Sequence, residues 1–271
     1  MLATSLENYL DDRTPKLSVE IRQEMFKEIG NPDSYLRDNL IYQSFVKLID
    51  SNQLNAKEIQ DLLEVVVQED FLLYRIGELG MDSVFTRSFS ALVVAAVIEY
   101  DIEKKVLDPE IVPNIVNKVT RYMLSEIDTR GFIHEKGWAH AVAHGADALD
   151  ALAKHPQIKE EDIGRILHAV QRSLFLQVDY LDEEEERLAT VIASLIAYQK
   201  VEQDICLWIK ELTGIVDTQM VGNKGSIETY HVKRTVKNFL KSVYVMLNSK
   251  KIGKTVNKDV FEVLEKWMYL R

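Results

Sequence analysis

Cysteine, glycine and proline are scarce in this chain, which has 1 cysteine, 11 glycines and 5 prolines among 271 residues. The lone cysteine, Cys206, excludes an internal disulfide and any zinc site built from several thiolates. The shortage of glycine and proline argues against a sheet-rich fold, in which turns recur about every 8–12 residues. Because 46% of the residues are hydrophobic, a large core can form, and the composition predicts an all-α protein.

Two further absences exclude whole classes of partner. With a formal net charge of −10, the chain lacks the basic excess that neutralises phosphates, so we expect no nucleic-acid partner. The longest apolar run, residues 91–98, is far shorter than the roughly 20 residues of a membrane span. Residues 1–16 also lack the apolar centre of a signal peptide. We therefore expect a cytoplasmic protein without a membrane partner.

Amphipathic helices recur along the sequence in pairs. The first helices of successive pairs are predicted to begin near Leu36, Val84, Trp138, Glu183 and Val232. Their spacing of about 45 to 54 residues is typical of HEAT and armadillo arrays. We predict one domain, residues 17–271, in which about five helix pairs form a right-handed α/α superhelix. Residues 1–16 are expected to be a flexible leader.

Two points of this architecture stay open at the level of sequence. A closed α/α barrel is the alternative fold, although such barrels commonly need more helices than this length supplies. The longest segment without a helical pattern, residues 214–226, is predicted to be a mobile loop or an insertion.

The most distinctive stretch, residues 137–147, places two histidines four positions apart and a carboxylate three positions later. We predict a helix over residues 138–154, on which His140, His144 and Asp147 share one face. The opposite face carries a bulky stripe formed by Trp138, Val142, Gly145, Leu149 and Leu152. This pattern predicts that the tryptophan is buried and that the polar residues form a site.

Three interpretations of His140, His144 and Asp147 remain open. Two histidines at this spacing with a carboxylate match the ligands of a divalent metal such as zinc, although the HExxH motif is absent. The same residues could instead form a hydrogen-bonded network that braces helices. The third interpretation is a metal-free binding or acid–base site, since imidazole titrates near neutral pH.

Polar residues also concentrate near the starts of the other first helices, and an array of this kind binds ligands on its concave surface. The predicted groove comprises Arg37, Asp38, Arg87, Ser88, His140, His144, Asp147 and Glu186. Arg87 lies among small and apolar residues, where an unpaired charge would be costly. We therefore predict a carboxylate partner for it, either Asp147, Asp128 or Glu186.

Motifs of the common enzyme classes are missing, including a phosphate-binding glycine loop, a dinucleotide fingerprint and a nucleophile elbow. We therefore expect a binding protein whose concave groove holds a peptide, a protein partner or a small ligand. The alternative is a hydrolase that uses His140, His144 and Asp147, with or without a divalent metal.

Several stretches together resemble a bacterial family catalogued as domain of unknown function 2785. They are Leu-Arg-Asp at 36–38, Asp-Ser-Val-Phe-Thr-Arg-Ser-Phe-Ser at 82–90, Asp-Thr-Arg-Gly at 128–131, and the histidine stretch at 137–147. The resemblance implies membership of an uncharacterised family of Gram-positive and related bacteria. It implies no established activity and no catalytic residues.

Overall fold

A computed structural model describes residues 1–178, 180–222 and 226–268 of the protein. Within those residues the chain is mostly helical, with 71% helix, 12 helices and almost no strand, so the all-α prediction is confirmed. The helices are α1 (Leu2–Leu10), α2 (Val19–Lys27), α3 (Gln43–Asp50), α4 (Ala56–Val66), α5 (Ser83–Lys104), α6 (Ile111–Ser125), α7 (Ala141–Lys154), α8 (Glu160–Leu174), α9 (Glu184–Ser194), α10 (Glu202–Gly222), α11 (Ile227–Lys250) and α12 (Lys254–Trp267). Two π-helical segments, Tyr35–Tyr42 and Leu195–Gln199, adjoin α3 and α9, and a hairpin of β1 (Phe132–Ile133) and β2 (Gly137–Trp138) precedes α7.

Side-chain caps explain where several helices begin. The Asn55 side chain accepts a hydrogen bond from the Glu58 amide, while the Glu58 carboxylate accepts one from the Asn55 amide, which forms a capping box for α4. Ser18 and Ser226 cap α2 and α11 through their hydroxyl oxygens. These local signals are readable in the sequence.

Helix α5 packs against α3, α4 and α7, and the succession of contacts continues from α7 to α9 and from α9 to α11. Among the described helices, α5 has the length and apolarity of a membrane span, but 72% of its most apolar window is buried inside the protein. One contiguous hydrophobic core includes residues of all the described helices.

Small residues allow α7 to approach its neighbours closely. A Cβ atom at Gly145 would clash with the Met123 sulfur and lie 2.9 Å from the Tyr122 ring, both on α6. Fully buried alanines, among them Ala141 and Ala148, line other parts of the same helix. The close packing explains why α7 can lie between α5, α6 and α9.

The expected flexible leader contains a packed helix. Leu6 and Tyr9 of α1 are fully buried, and α1 contacts α3 and the first π-helical segment. The Lys47 ammonium donates to the carbonyl oxygens of Tyr9 and Leu10 at 2.8 and 3.1 Å. Leu6 and Tyr9 are three residues apart, so one helical face can bury both.

The predicted loop at 214–226 is largely helical, because α10 continues through Gly214 to Gly222. Leu212, Thr213 and Val216 are buried on this helix. Their packing outweighs the roughly 1 kcal/mol that a glycine costs in a helix interior. Residues 223–225 of the predicted loop lie outside the described part of the chain.

Candidate functional site

The segment before α7 is a hairpin, whereas the sequence pattern predicted a helix from residue 138. Phe132 pairs with Trp138 in antiparallel register, and Ile133 pairs with Gly137. Gly137 has a φ of 76°, and a Cβ atom there would lie 2.7 Å from the Ser34 side chain. Glycine is therefore required at this position for both backbone conformation and close packing.

Trp138 is 40% exposed, so the prediction that it is buried with the apolar stripe is wrong. Val142, Leu149 and Leu152 of that stripe are buried as predicted. Strand β2 carries Trp138 outside the helical periodicity, and its ring stacks on His140 with centroids 4.3 Å apart. Phe132, also exposed, contacts the indole edge to face, with ring centroids 5.0 Å apart.

His140 joins the hairpin to α7 in a left-handed conformation, with a φ of 45°. Such a backbone is costly for a residue other than glycine and is often found at functional sites. The pKa of His140 is lowered, chiefly by burial, so the imidazole is neutral at pH 7. Its Nε2 atom is buried and has no hydrogen-bonding partner among the described residues.

His144 lies one helical turn further on and contacts His140 edge to face, with ring centroids 5.7 Å apart. It also packs against Phe89 at 5.2 Å and is only 8% exposed. Burial, followed by the positive charge that His140 carries when protonated and by the charge of Arg187, holds the pKa of His144 well below its usual value. Its Nδ1 atom likewise lacks a partner within the described chain. The structure thus brings together two neutral imidazoles.

Asp147, the third residue of the predicted set, pairs with Arg187 instead. The Arg187 Nη1 atom donates to both carboxylate oxygens of Asp147, at 2.7 and 2.8 Å. Asp182 and Glu184 are the acidic residues grouped with His140, and one ligand atom from each of His140, Asp182 and Glu184 lies within 4.8 Å of the others. The sequence pattern from Asp182 to Glu186 is typical of an acidic helix start. The pattern therefore did not indicate that Glu184, among these acidic residues, belongs to the site.

A cleft of about 620 Å³ opens beside His140, His144 and Asp182. Its polar lining includes Asp38, Asn39, His140, His144, Asp182, Glu183 and Arg187, and its aromatic lining consists of Tyr42, Phe89 and Trp138. This volume lies within the roughly 300–1,000 Å³ of small-molecule sites.

A family model described as protein of unknown function (DUF2785) matches residues 72–245, well over half of the chain. The chain belongs to the DUF2785 family. No curated protein and no solved structure matches it. The matched region contains His140, His144, Asp182 and Arg187 but not Asp38, so the DUF2785 region supplies most of the cleft.

Within the DUF2785 region, Arg87 forms an ion pair with Glu126, which is none of the three predicted partners. Arg87 Nε donates to Glu126 Oε2 at 2.7 Å and Nη2 donates to Oε1 at 3.1 Å. Its Nη1 atom donates to the carbonyl of Tyr74 and the hydroxyl of Ser83. Both charged side chains are buried, so Arg87 braces the core and does not line the cleft.

Ser88 and Arg37 support the cleft from behind. Ser88 is buried, and its backbone acts on the pKa of His144 in the direction opposite to burial. Arg37, also buried, donates to the carbonyls of Asn31 and Lys136 at 2.8 and 2.7 Å. Because Lys136 lies in the turn of the hairpin, Arg37 ties the hairpin to the first π-helical segment.

Of the remaining predicted residues, Asp38 lines the cleft and Glu186 does not. Asp38 forms an ion pair with the Arg37 guanidinium at 2.8 Å. Glu186 lines a different cavity, beside Tyr180 and Lys241. The predicted groove therefore divides into cleft residues, supporting residues and two residues, Asp147 and Glu186, that line other cavities.

Proposed function

We propose that this DUF2785 protein is a binding protein whose cleft holds a small polar ligand. Carboxylates of Asp38, Asp182 and Glu183 line the cleft, and its one arginine, Arg187, is paired with Asp147. An acceptor-rich lining favours a ligand that carries hydrogen-bond donors, such as hydroxyl or ammonium groups. The exposed face of Trp138 suits a flat apolar surface on the same ligand.

The observation that carries this proposal is the pair of imidazoles with unpartnered nitrogens. Buried polar atoms in folded proteins almost always have a hydrogen-bonding partner. Nε2 of His140 and Nδ1 of His144 lack one among the described residues, and both rings line the cleft. A bound ligand is the simplest source of the missing partners.

We further propose that the helix pairs stack as a right-handed α/α superhelix of the HEAT type. The succession of contacts from α5 to α7, α9 and α11 supports one continuous layer of first helices. Contacts between α6 and α8 and between α10 and α12 support a second layer. In such an array the cleft lies near the N-terminal ends of α7 and α9, where the first helices present their polar residues.

Thermal unfolding with a panel of monosaccharides, polyols and amines tests the binding proposal. A true ligand at about 100 times its Kd should stabilise the protein by roughly 2.7 kcal/mol. Trp138→Ala should abolish the shift, because it removes the stacking face. Tyr198→Ala, which alters an exposed aromatic residue that does not line the cleft, should retain it. Equal shifts in both variants would place the binding elsewhere.

A hydrolase is the second candidate, and the pair of His140 and Glu184 favours it. The His140 Nε2 atom lies 3.8 Å from the Glu184 carboxylate. A neutral imidazole beside a carboxylate can act as a general base toward water. Incubation of the stabilising compounds, or their esters and glycosides, with wild type and Glu184→Gln would distinguish the two functions, because only a hydrolase releases product.

A further inference from the structure

We infer that His140, Asp182 and Glu184 form a site for a first-row divalent cation such as Zn²⁺ or Mn²⁺. Two of the three ligands, His140 and Asp182, line the cleft of the proposed function, so the site rests on that proposal for its biological purpose, although binding of the ion can be tested alone. The three side chains offer one imidazole nitrogen and carboxylate oxygens. Mixed nitrogen and oxygen ligands suit Zn²⁺ and Mn²⁺ better than Mg²⁺ or Ca²⁺, which prefer oxygen alone.

The spacing of the ligand atoms fits a metal ion better than it fits direct hydrogen bonds. His140 Nε2 and Glu184 Oε1 are 3.8 Å apart, which is too far for a hydrogen bond. Metal–ligand bonds of about 2.0–2.2 Å in tetrahedral geometry place two ligand atoms roughly 3.4 Å apart. A small inward movement of either side chain would therefore allow both to bind one ion.

The burial of Glu184 is an independent reason to expect a cation. Its side chain is only 2% exposed. Among the described residues, the one basic group within 4 Å of its carboxylate is the His140 imidazole, at 3.8 Å, and no lysine or arginine lies within that distance. Buried carboxylates are usually paired or coordinate a metal, and a divalent ion would compensate this charge.

The hairpin and the start of α9 position the three ligands. Asp182 Oδ2 accepts a hydrogen bond from the Phe132 amide, and the Asp182 amide donates to Glu184 Oε2, both at 3.0 Å. A Cβ atom at Gly131 would clash with the Asp182 carboxylate, so glycine there lets the two segments meet. Hydrogen bonds of this kind orient metal ligands and raise affinity.

The His140 ring also has the environment of a metal ligand. Its Nε2 atom is buried and has no hydrogen-bonding partner among the described residues, so this nitrogen is available to bind an ion. Three protein ligands leave a further coordination position for water or for a ligand in the cleft.

Isothermal titration of chelator-treated protein, purified without a nickel column, tests the inference. We expect wild type to bind one Zn²⁺ or Mn²⁺ ion per chain, with Mg²⁺ and Ca²⁺ much weaker. Glu184→Gln should weaken binding by more than 10-fold, and Gly131→Ala, which displaces Asp182, should weaken it by about 10-fold or more. Glu186→Gln is the matched control, because Glu186 belongs to the same acidic tract but lines another cavity, and it should bind normally.

Failure of this inference is distinguishable from failure of the proposed function. Absence of Zn²⁺ and Mn²⁺ binding in wild type, or equal affinities in Glu184→Gln and Glu186→Gln, would overturn the metal site. Circular dichroism identifies any variant that does not fold, and Asp182→Asn then replaces it in the same titration. If the protein binds the ion but none of the small molecules, the metal site is supported and only the proposed small-molecule ligand is contradicted.

Discussion

Two buried polar clusters in this protein differ in how completely their groups are paired. In the core, Arg87 donates two hydrogen bonds to Glu126, and both side chains have further partners among neighbouring backbone and hydroxyl groups. In the cleft, His140 and His144 each keep a buried nitrogen without a partner among the described residues. A complete network indicates a structural role, and an incomplete one indicates a place for a ligand.

Removing one member of the complete cluster should have the largest effect. Arg87→Met leaves Glu126 buried and unpaired, which should lower the free energy of unfolding by about 3–5 kcal/mol. Urea unfolding followed by circular dichroism measures the change. The double variant Arg87→Met/Glu126→Gln should lose less than the sum of the single changes, because no charge is left alone. A small decrease in the free energy of unfolding of Arg87→Met would show that the completely paired cluster does not stabilise the fold more than the cluster in the cleft.

A second complete cluster, formed by Asp101 and His155, predicts a dependence on pH. Burial alone would raise the pKa of Asp101, but hydrogen bonds from His155 and from the amides of Leu107 and Val106 outweigh it, and the pKa is lowered. The carboxylate therefore stabilises the fold above its unfolded pKa of about 3.9, and this stability is lost as the pH falls through the lower folded value.

The variant Asp101→Asn tests that prediction. It should cost about 1.5–3 kcal/mol at pH 7, the range for hydrogen bonds to a charged group. The difference from wild type should narrow as the pH falls below about 4, measured by urea unfolding at successive pH values. A difference that stays constant down to pH 2 would show that the charge of Asp101 is not the stabilising feature.

The incomplete cluster should tolerate loss of its polar atoms. His144→Phe fills a similar volume beside Phe89 and removes a buried nitrogen that has no partner in the described chain. The free energy of unfolding should change by less than about 1 kcal/mol and could increase. A loss comparable to that of Arg87→Met, measured under the same conditions, would place His144 among the bracing residues.

Trp138→Ala should have the smallest effect on stability. Because the side chain is 40% exposed, its removal leaves little cavity, and we expect a cost below about 1 kcal/mol. Trp208→Ala is the contrasting control, since Trp208 is buried against Phe239 and should cost about 3–5 kcal/mol. Thermal unfolding of both variants gives the comparison, and similar costs would contradict the exposed position of Trp138.

The sequence by itself determined the helical class and the closeness of the two histidines. Few glycines and prolines, together with repeated apolar spacing, are local properties, and they specify helices whatever their partners. His140 and His144 are four residues apart, so they remain neighbours even though one lies before α7 and the other within it. The two histidines are therefore close in space even though the predicted start of α7 was wrong by a few residues.

Only the tertiary structure decided which distant residues meet. Arg87 pairs with Glu126 because α5 and the end of α6 are adjacent, and Glu184 reaches His140 because the hairpin is packed against the start of α9. Several carboxylates were candidate partners for Arg87 and for His140, and helical periodicity does not indicate which of them is close in space. Trp138 is exposed for the same reason, since strand pairing with Phe132 takes it off the helix. Partners across long sequence separations are selected by packing geometry, which local spacing does not specify.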